Sequence, residues 1–444
     1  MLAAFANAFR TPDLRKKIFF TLAILAIFRL GSIIPTPNVN VKQVDFCLKQ
    51  ATSGDQQGLY SLINLFSGGA LLQLAIFALG IMPYITASII LQLLTVVIPR
   101  LEALKKEGQS GQTKITQYTR YLTLVLAVLN STAFVTVAVN DRLFTGCTGL
   151  VYDTSIFPVV VMILTMTAGT SVIMWLGELI TERGVGNGMS VMIFTQIAAT
   201  FPSALWSLRV ARPGSQGWVV FLLVIALGLV VMAGVIFVEQ AQRRIPVQYA
   251  KRMVGRRMFG GTTTYIPIKV NQAGVIPVIF ASSLIYIPHL ITQLVQSGSA
   301  TPGTGWWDKF VGNHLTNPAD PVYIGIYFGL IIFFTYFYVS ITFNPDERAD
   351  EMKKFGGFIP GIRPGRPTAD YLRYVLNRIT LPGSIYLGVI AVLPNLFLEM
   401  GSGGGVQNLP FGGTAVLIMI GVGLDTVKQI ESQLMQRNYE GFLK

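Results

Sequence analysis

The sequence predicts an all-α polytopic membrane protein with ten transmembrane helices arranged as two inverted five-helix halves. Three observations carry this prediction. Of 444 residues, 52% are hydrophobic and only 12% are charged, with a mean hydropathy of +0.56; a soluble domain carries roughly 25% charge. Ten apolar runs approach the roughly 20 residues that a membrane-spanning helix needs. One pattern, G-x-x-P-x-I-x-A-S, occurs twice, over Gly80–Ser88 and Gly274–Ser282, offset by 194 positions.

The repeated pattern sets the organisation. Both copies place Gly and Pro in expected membrane-spanning helix, where Gly removes side-chain bulk and Pro removes a backbone donor. In a bilayer such breaks persist only where protein or a water-filled cavity satisfies the freed groups. Paired interrupted spans therefore point to a central pathway. The competing reading is coincidence, because apolar residues match cheaply.

The ten runs lie at roughly 18–34, 74–98, 121–139, 156–176, 189–206, 218–238, 274–296, 322–343, 379–398 and 411–430. The repeat falls in the second and the seventh. This divides the chain into an N-terminal half, 1–206, and a C-terminal half, 207–444. An odd number of spans per half forces the halves to insert in opposite senses. With both termini cytoplasmic, the inner segments carry 27 Lys and Arg residues against six in the outer loops. That asymmetry sets the orientation. Arg29 lies near the outer end of the first span, where snorkelling to the interface is preferred over a functional buried charge. The stretch from Met1 to Lys17 is polar and basic, and no small-residue cleavage site follows the first run, so no cleavable leader is expected.

Between the first two runs, Leu59, Leu62, Ile63 and Phe66 share one helical face, and Ser67, Gly68 and Gly69 break the chain. This helix, near 59–67, is too short to span. It is re-entrant or interfacial, and the Gly hinge before the repeat-bearing span favours re-entry.

Two inner loops stand out. The 239–270 loop holds seven basic residues and one acid, Glu239. It serves as a topology determinant beside anionic lipid or as a docking surface for a large polyanion or acidic partner; the residues alone leave both open. Tyr249 and Tyr265 favour an ordered loop. The 344–370 loop balances five basic residues with five acidic ones. Its tip, Phe358 to Pro367, is stiffened by prolines, which lowers the cost of binding. Phe358 and Ile359 exposed to the cytosol would imply a partner.

Little else carries chemistry. There are two histidines, His289 and His314, and no HExxH, Walker A or intramembrane acid pair. Glu178 and Glu182 suit the inner end of the fourth span. Gly184–Gly188 has the look of a phosphate loop, but no strand precedes it and no Lys follows, so a hinge is the better reading. No catalytic residue, metal or cofactor is expected. Cys47 and Cys147 lack metal-ligand spacing. The topology puts both on the oxidising side, but a bond needs Cα atoms within about 7 Å. Two unpaired thiols are expected, with an outer-loop staple as the alternative. The rival functions are a protein-conducting channel, a secondary transporter of a small solute and a membrane enzyme. The missing intramembrane acids count against the second, and the missing nucleophile–base constellation counts against the third.

Longer segments narrow the choice. Phe77–Ile90 and Trp175–Ser190 resemble the two signature segments of the SecY family, the channel-forming subunits of the Sec protein translocase. Arg243-Arg244, Tyr249 to Arg252 and Gly361 to Gly365 resemble the cytosolic loops of bacterial members. The likeness covers nearly the whole chain and is weakest in the external loops and around 200–217.

The resemblance implies a multi-pass protein of the plasma (inner) membrane, in a heterotrimer with SecE and SecG, whose two halves surround an hourglass pore. The pore ring would be Ile81, Ile85, Met189, Ile193, Ile279 and Ile418, with Met189 standing where the family usually has Ile. A plug would comprise Leu59, Tyr60, Leu62, Ile63, Asn64 and Phe66. The lateral gate would use Pro83, Ser88, Gln92, Pro277 and Ser282, with Asn187 a polar gate and plug position. Arg243, Arg244, Lys251, Arg252, Arg256, Arg257, Arg363 and Arg366 would dock SecA, an external ATPase, or the ribosome. Preprotein signal sequences would leave sideways into membrane lipids.

Overall fold

The computed structural model describes residues 11–51, 70–71, 73–141, 143, 147–210, 215–249, 252–254, 257–259, 263–297, 310–315, 320–400 and 413–441. Thirteen α-helices organise these residues: α1 (Pro12–Gly31), α2 (Val41–Ala51), α3 (Met82–Val97), α4 (Pro99–Lys106), α5 (Gln109–Val139), α6 (Ile156–Arg183), α7 (Gly188–Val210), α8 (Ser215–Gln240), α9 (Ile276–Ser297), α10 (Pro321–Thr342), α11 (Pro345–Lys354), α12 (Arg366–Met400) and α13 (Gly413–Gly441). Each predicted apolar run falls on one of them: α1, α3, α5 to α10, α12 and α13. Six of these, α5, α6, α8, α10, α12 and α13, are by themselves long and apolar enough to cross a membrane. A seventh follows if α3 and α4, bent by 99° at Ile98, are taken as one. Ile98 is extended at φ −100° and ψ 112° because Pro99 disfavours helical backbone in the residue before it.

The second run behaves differently from its prediction. Helix was expected from residue 74, but it starts at Met82, and residues 76–81 form turns. Gly80 takes a positive φ of 56°, and Gly274, its repeat partner, takes 62°. Pro83 then sits in the first turn of α3, and Pro277 is the second residue of α9. At these positions a missing N–H costs nothing, since first-turn donors lack intrahelical acceptors. The repeat is therefore a helix start made twice, not a break within a helix.

The chain is not all helix. The described residues of the 239–270 loop form β1 (Gln242–Tyr249), β2 (Arg252–Val254), β3 (Arg257–Phe259) and β4 (Thr263–Lys269), and the 344–370 loop adds β5 (Gly357–Phe358). The strands form a three-stranded antiparallel sheet in the order β4-β1-β5, with β2 and β3 paired separately. Alternation explains the sheet. Ile245 and Val247 point inward and are buried, whereas Arg244, Pro246 and Gln248 are exposed. Ile359, at 4% exposure, packs with Ile245, Val247, Ile268 and Met352. The expectation that Phe358 and Ile359 face the cytosol is thus wrong for Ile359; Phe358 is half-buried. What covers Ile359 is the chain's own sheet and helices.

The cysteine expectation is overturned as well. Cys47, on α2, and Cys147 form a disulfide, with Cα atoms 5.9 Å apart. Both are buried in one cluster with Val44, Leu74, Leu150 and Met162. Backbone bonds gather these segments: Thr36 N–H donates to Leu74 O at 2.9 Å, and Asn40 N–H to Leu150 O at 2.9 Å. The sequence separation of 100 gave no sign of this proximity.

Candidate functional site

Six positions named from the sequence meet in one place. Ile81 precedes α3 and Ile85 lies in its first turn. Met189 and Ile193 lie at the start of α7, Ile279 on α9 and Ile418 on α13. Ile81, Ile193, Ile279 and Ile418 are buried members of one hydrophobic cluster, and Ile85 and Met189 pack against it. The i, i+4 spacing of Met189 and Ile193 puts both on one face of α7. Met189 lies close beside α6: a Cβ on Gly177 would fall 2.6 Å from its sulfur.

The set of six side chains is apolar and offers a passing solute neither charge nor fixed hydrogen-bond partner; Tyr84 packs against the same cluster. Chemically it can fill a gap and exclude water, which is how hydrophobic constrictions close.

The two repeat-bearing helices meet beside it. Ile89 of α3 shares a second cluster with Val278, Ala281 and Ile285 of α9, with Ile85 and Leu93 packed alongside. Pro83 and Pro277 are buried, Ser88 and Ser282 are half-buried, and Gln92 is exposed. Ser282 Oγ donates to Ile279 O at 2.9 Å. The seam between α3 and α9 is therefore apolar along its contact.

Asn187 has a role that the sequence reading missed. Its Oδ1 accepts from Met189 N–H at 3.1 Å and its backbone carbonyl from Val191 N–H at 2.9 Å, so it caps α7. The neighbouring glycine turn is closed by threonines: Val185 N–H donates to Thr21 Oγ1 at 3.1 Å, and Gly188 N–H to Thr181 Oγ1 at 2.9 Å. These two amides are used internally, in keeping with a hinge rather than a phosphate cradle.

The basic positions fall on the β4-β1-β5 sheet, the β2–β3 pair and the tip that leads into α12. Arg243 and Arg244 are exposed on β1. Arg252 and Arg257 lie on the β2–β3 pair, while Lys251 and Arg256 fall outside the described residues. Arg363 and Arg366 are exposed at the tip that leads into α12. Thr368 Oγ1 donates to Arg363 O at 2.9 Å, which fixes the backbone and leaves the guanidinium outward. The register Gln248↔Phe358 and Tyr249↔Gly357 joins the two loops into one surface. Gly357 packs closely there: an added Cβ would lie 3.1 Å from the Tyr249 ring, which would have to shift by a few tenths of an ångström. The plug positions Leu59, Tyr60, Leu62, Ile63, Asn64 and Phe66 lie outside the described residues. No group of metal-binding side chains occurs among the described residues.

The SecY family pattern matches residues 75–427. The chain belongs to the SecY family. It is 70% identical over 445 residues to the protein translocase subunit SecY of Mycobacterium bovis, covering all of both chains. The SecY of Streptomyces scabiei is 64% identical over 447 residues, again with full coverage. Among solved structures, a protein-conducting channel matches with TM-score 0.64 at 18% identity, over 94% of this chain and 91% of that one. Sec61 of a canine ribosome–channel complex matches with TM-score 0.60 at 17% identity, over 94% and 91%. These structural likenesses establish the fold. SecY membership makes this a membrane channel subunit rather than an enzyme, and nothing in the comparisons supports the small-solute transporter.

Proposed function

We propose that this SecY-family chain is the protein-conducting channel of a bacterial translocase, passing unfolded preproteins across the plasma membrane and releasing signal sequences sideways into lipid. The observation that carries the reading is the convergence of Ile81, Ile85, Met189, Ile193, Ile279 and Ile418 in one charge-free cluster. A pore that must accept any sequence needs a wall without fixed partners. A pore that must hold ions back needs a wall that dewets.

In this reading ten spans form the halves 1–206 and 207–444, with both termini cytoplasmic. The seam between α3 and α9 is the lateral gate. Its apolar lining suits a signal sequence, whose apolar core of about 7–15 residues partitions readily into lipid. The segment near 59–67 is the plug. SecE and SecG complete the heterotrimer. The chain supplies no energy source; SecA or a translating ribosome drives transport by docking on the cytosolic sheet and the Arg363 tip. The exposed arginines suit acidic protein or phosphate-rich RNA.

Reconstitution with SecE and SecG into vesicles tests this. SecA and ATP should drive an unfolded preprotein into a protease-protected state, and only when it carries its signal sequence. Ile193→Asn, which wets the ring, should raise ion leak while leaving transport active. Vesicles that transport a small solute but no preprotein would overturn the reading.

A further inference from the structure

The cytosolic sheet packs on α10 and α12 through Val339, Leu372, Val375 and Leu376, and at its foot one residue outside the predicted sites ties it to α9. The β1–β4 hairpin leaves α8 at Gln240 and returns through 270–275 to α9. At its foot Val270 N–H donates to Ala241 O at 3.0 Å. The next residue, Asn271, is 2% exposed. Its Nδ2 donates to Glu239 Oε1 at 2.5 Å and to Gly274 O at 3.1 Å. Glu239 belongs to the last turn of α8 and is 9% exposed. Gly274 is the left-handed residue that opens α9. A single amide nitrogen therefore ties together the end of α8, the foot of the sheet and the start of the gate helix.

The foot has little room to slide. A Cβ on Gly383 of α12 would lie 2.4 Å from Val270 O, so the return leg rests directly on helix backbone. Above the foot, seven consecutive residue pairs from Gln242↔Lys269 to Gln248↔Thr263 make the hairpin a stiff arm. Lys269, at the foot of the hairpin, pairs with Asp425 of α13 at 3.9 Å. Space-filling alone would be served better by an apolar residue at 271, because a buried amide costs free energy unless it is bonded. Among the described residues no donor reaches the buried Asn271 Oδ1, so the bonds this site makes use the amide's donor.

We propose that Asn271 is the positioning residue through which movement of the cytosolic sheet is passed to α9. The inference rests on the docking and gating roles assigned above. Hydrogen bonds fail within a fraction of an ångström of stretch. Displacing the arm must therefore either carry Gly274 with it or break the Asn271 link. The left-handed backbone at Gly274 and the proline at 277 let the first turn of α9 reorient without opening helical hydrogen bonds.

The test uses the SecE- and SecG-containing complex in lipid nanodiscs, with fluorophores on Val96→Cys of α3 and Leu284→Cys of α9. Both positions are exposed. SecA with a non-hydrolysable ATP analogue should change the distance between the labels in the otherwise unaltered channel. Asn271→Leu should hold SecA affinity within about twofold, abolish the distance change, and lower preprotein translocation about tenfold. Asn271→Val, which also lacks the donor and adds no charge, should behave the same way. Glu239→Gln keeps an acceptor and should respond normally. A full distance response in both Asn271 variants would overturn the link. So would loss of SecA binding or of the assembled complex in both, because the residue would then be merely structural. An unaltered channel that binds SecA without any gate response would instead overturn the gating role itself.

Discussion

Arg120 on α5 holds Glu178 on α6 through two parallel hydrogen bonds, Nε to Oε1 at 2.9 Å and Nη2 to Oε2 at 2.7 Å. The guanidinium also donates from Nη1 to Gln117 Oε1 at 3.0 Å. Such a fork fixes orientation as well as distance. Removing one partner strands the other in a half-buried site. Arg120→Met should lower the stability of the solubilised protein by ~1–3 kcal/mol. Adding Glu178→Met should restore most of the loss, because the second change removes the stranded charge. Thermal melts of the single and double variants measure this; equal losses in both would contradict it.

Gly274→Ala isolates the backbone contribution at the start of α9. Among the described residues no atom lies within 4 Å of the added Cβ, so their packing is untouched. Only the positive φ is penalised, and left-handed backbone costs a residue with a Cβ roughly 1–2 kcal/mol. Gly80→Ala should show a similar backbone cost. Melting temperatures would report it, and an unchanged Gly274→Ala melt would show that the turn relaxes freely.

The Cys47–Cys147 bond closes a loop spanning 100 positions. Chain-entropy reasoning gives a loop of this length about 4.7 kcal/mol, and disulfides typically deliver about 2–4 kcal/mol. Alkylation of the native protein should label neither thiol until reductant is added. The Cys47→Ser/Cys147→Ser variant should unfold at lower denaturant concentration. Two thiols that react freely before reduction would refute the bond.

Arg363→Glu should uncouple SecA-driven transport and leave the channel assembled. The side chain is exposed, and the tip backbone is held through Thr368. Reversing a charge at a docking anchor costs several kcal/mol of partner affinity. Binding and protease-protection assays separate docking from folding. Normal translocation by this variant would remove Arg363 from the docking surface.

Much of this architecture was legible in the sequence because hydropathy is a local signal. Each apolar run lies on a helix, and the motif residues Ile81, Ile85, Met189, Ile193, Ile279 and Ile418 share one cluster. What stayed hidden depended on distant partners. Apolar residues before position 82 gave no sign of turns, because their backbone is satisfied by other segments, as when Ile76 N–H donates to Ile34 O at 2.9 Å. The β1–β5 pairing joins residues more than a hundred positions apart and lacks a sequence period linking them. Asn271 looked ordinary because its two acceptors, Glu239 and Gly274, lie on separate elements.

The disulfide also bears on how the chain is threaded into the bilayer during synthesis. Cys47 and Cys147 can join only if both emerge on the same side, so the polypeptide between them must cross an even number of times. That stretch holds the apolar runs at 74–98 and 121–139. A nascent chain that skipped one of them would strand the two sulfurs on opposite faces. The bond thus acts as a parity check, since a molecule in which only one of these two runs is inserted cannot form it.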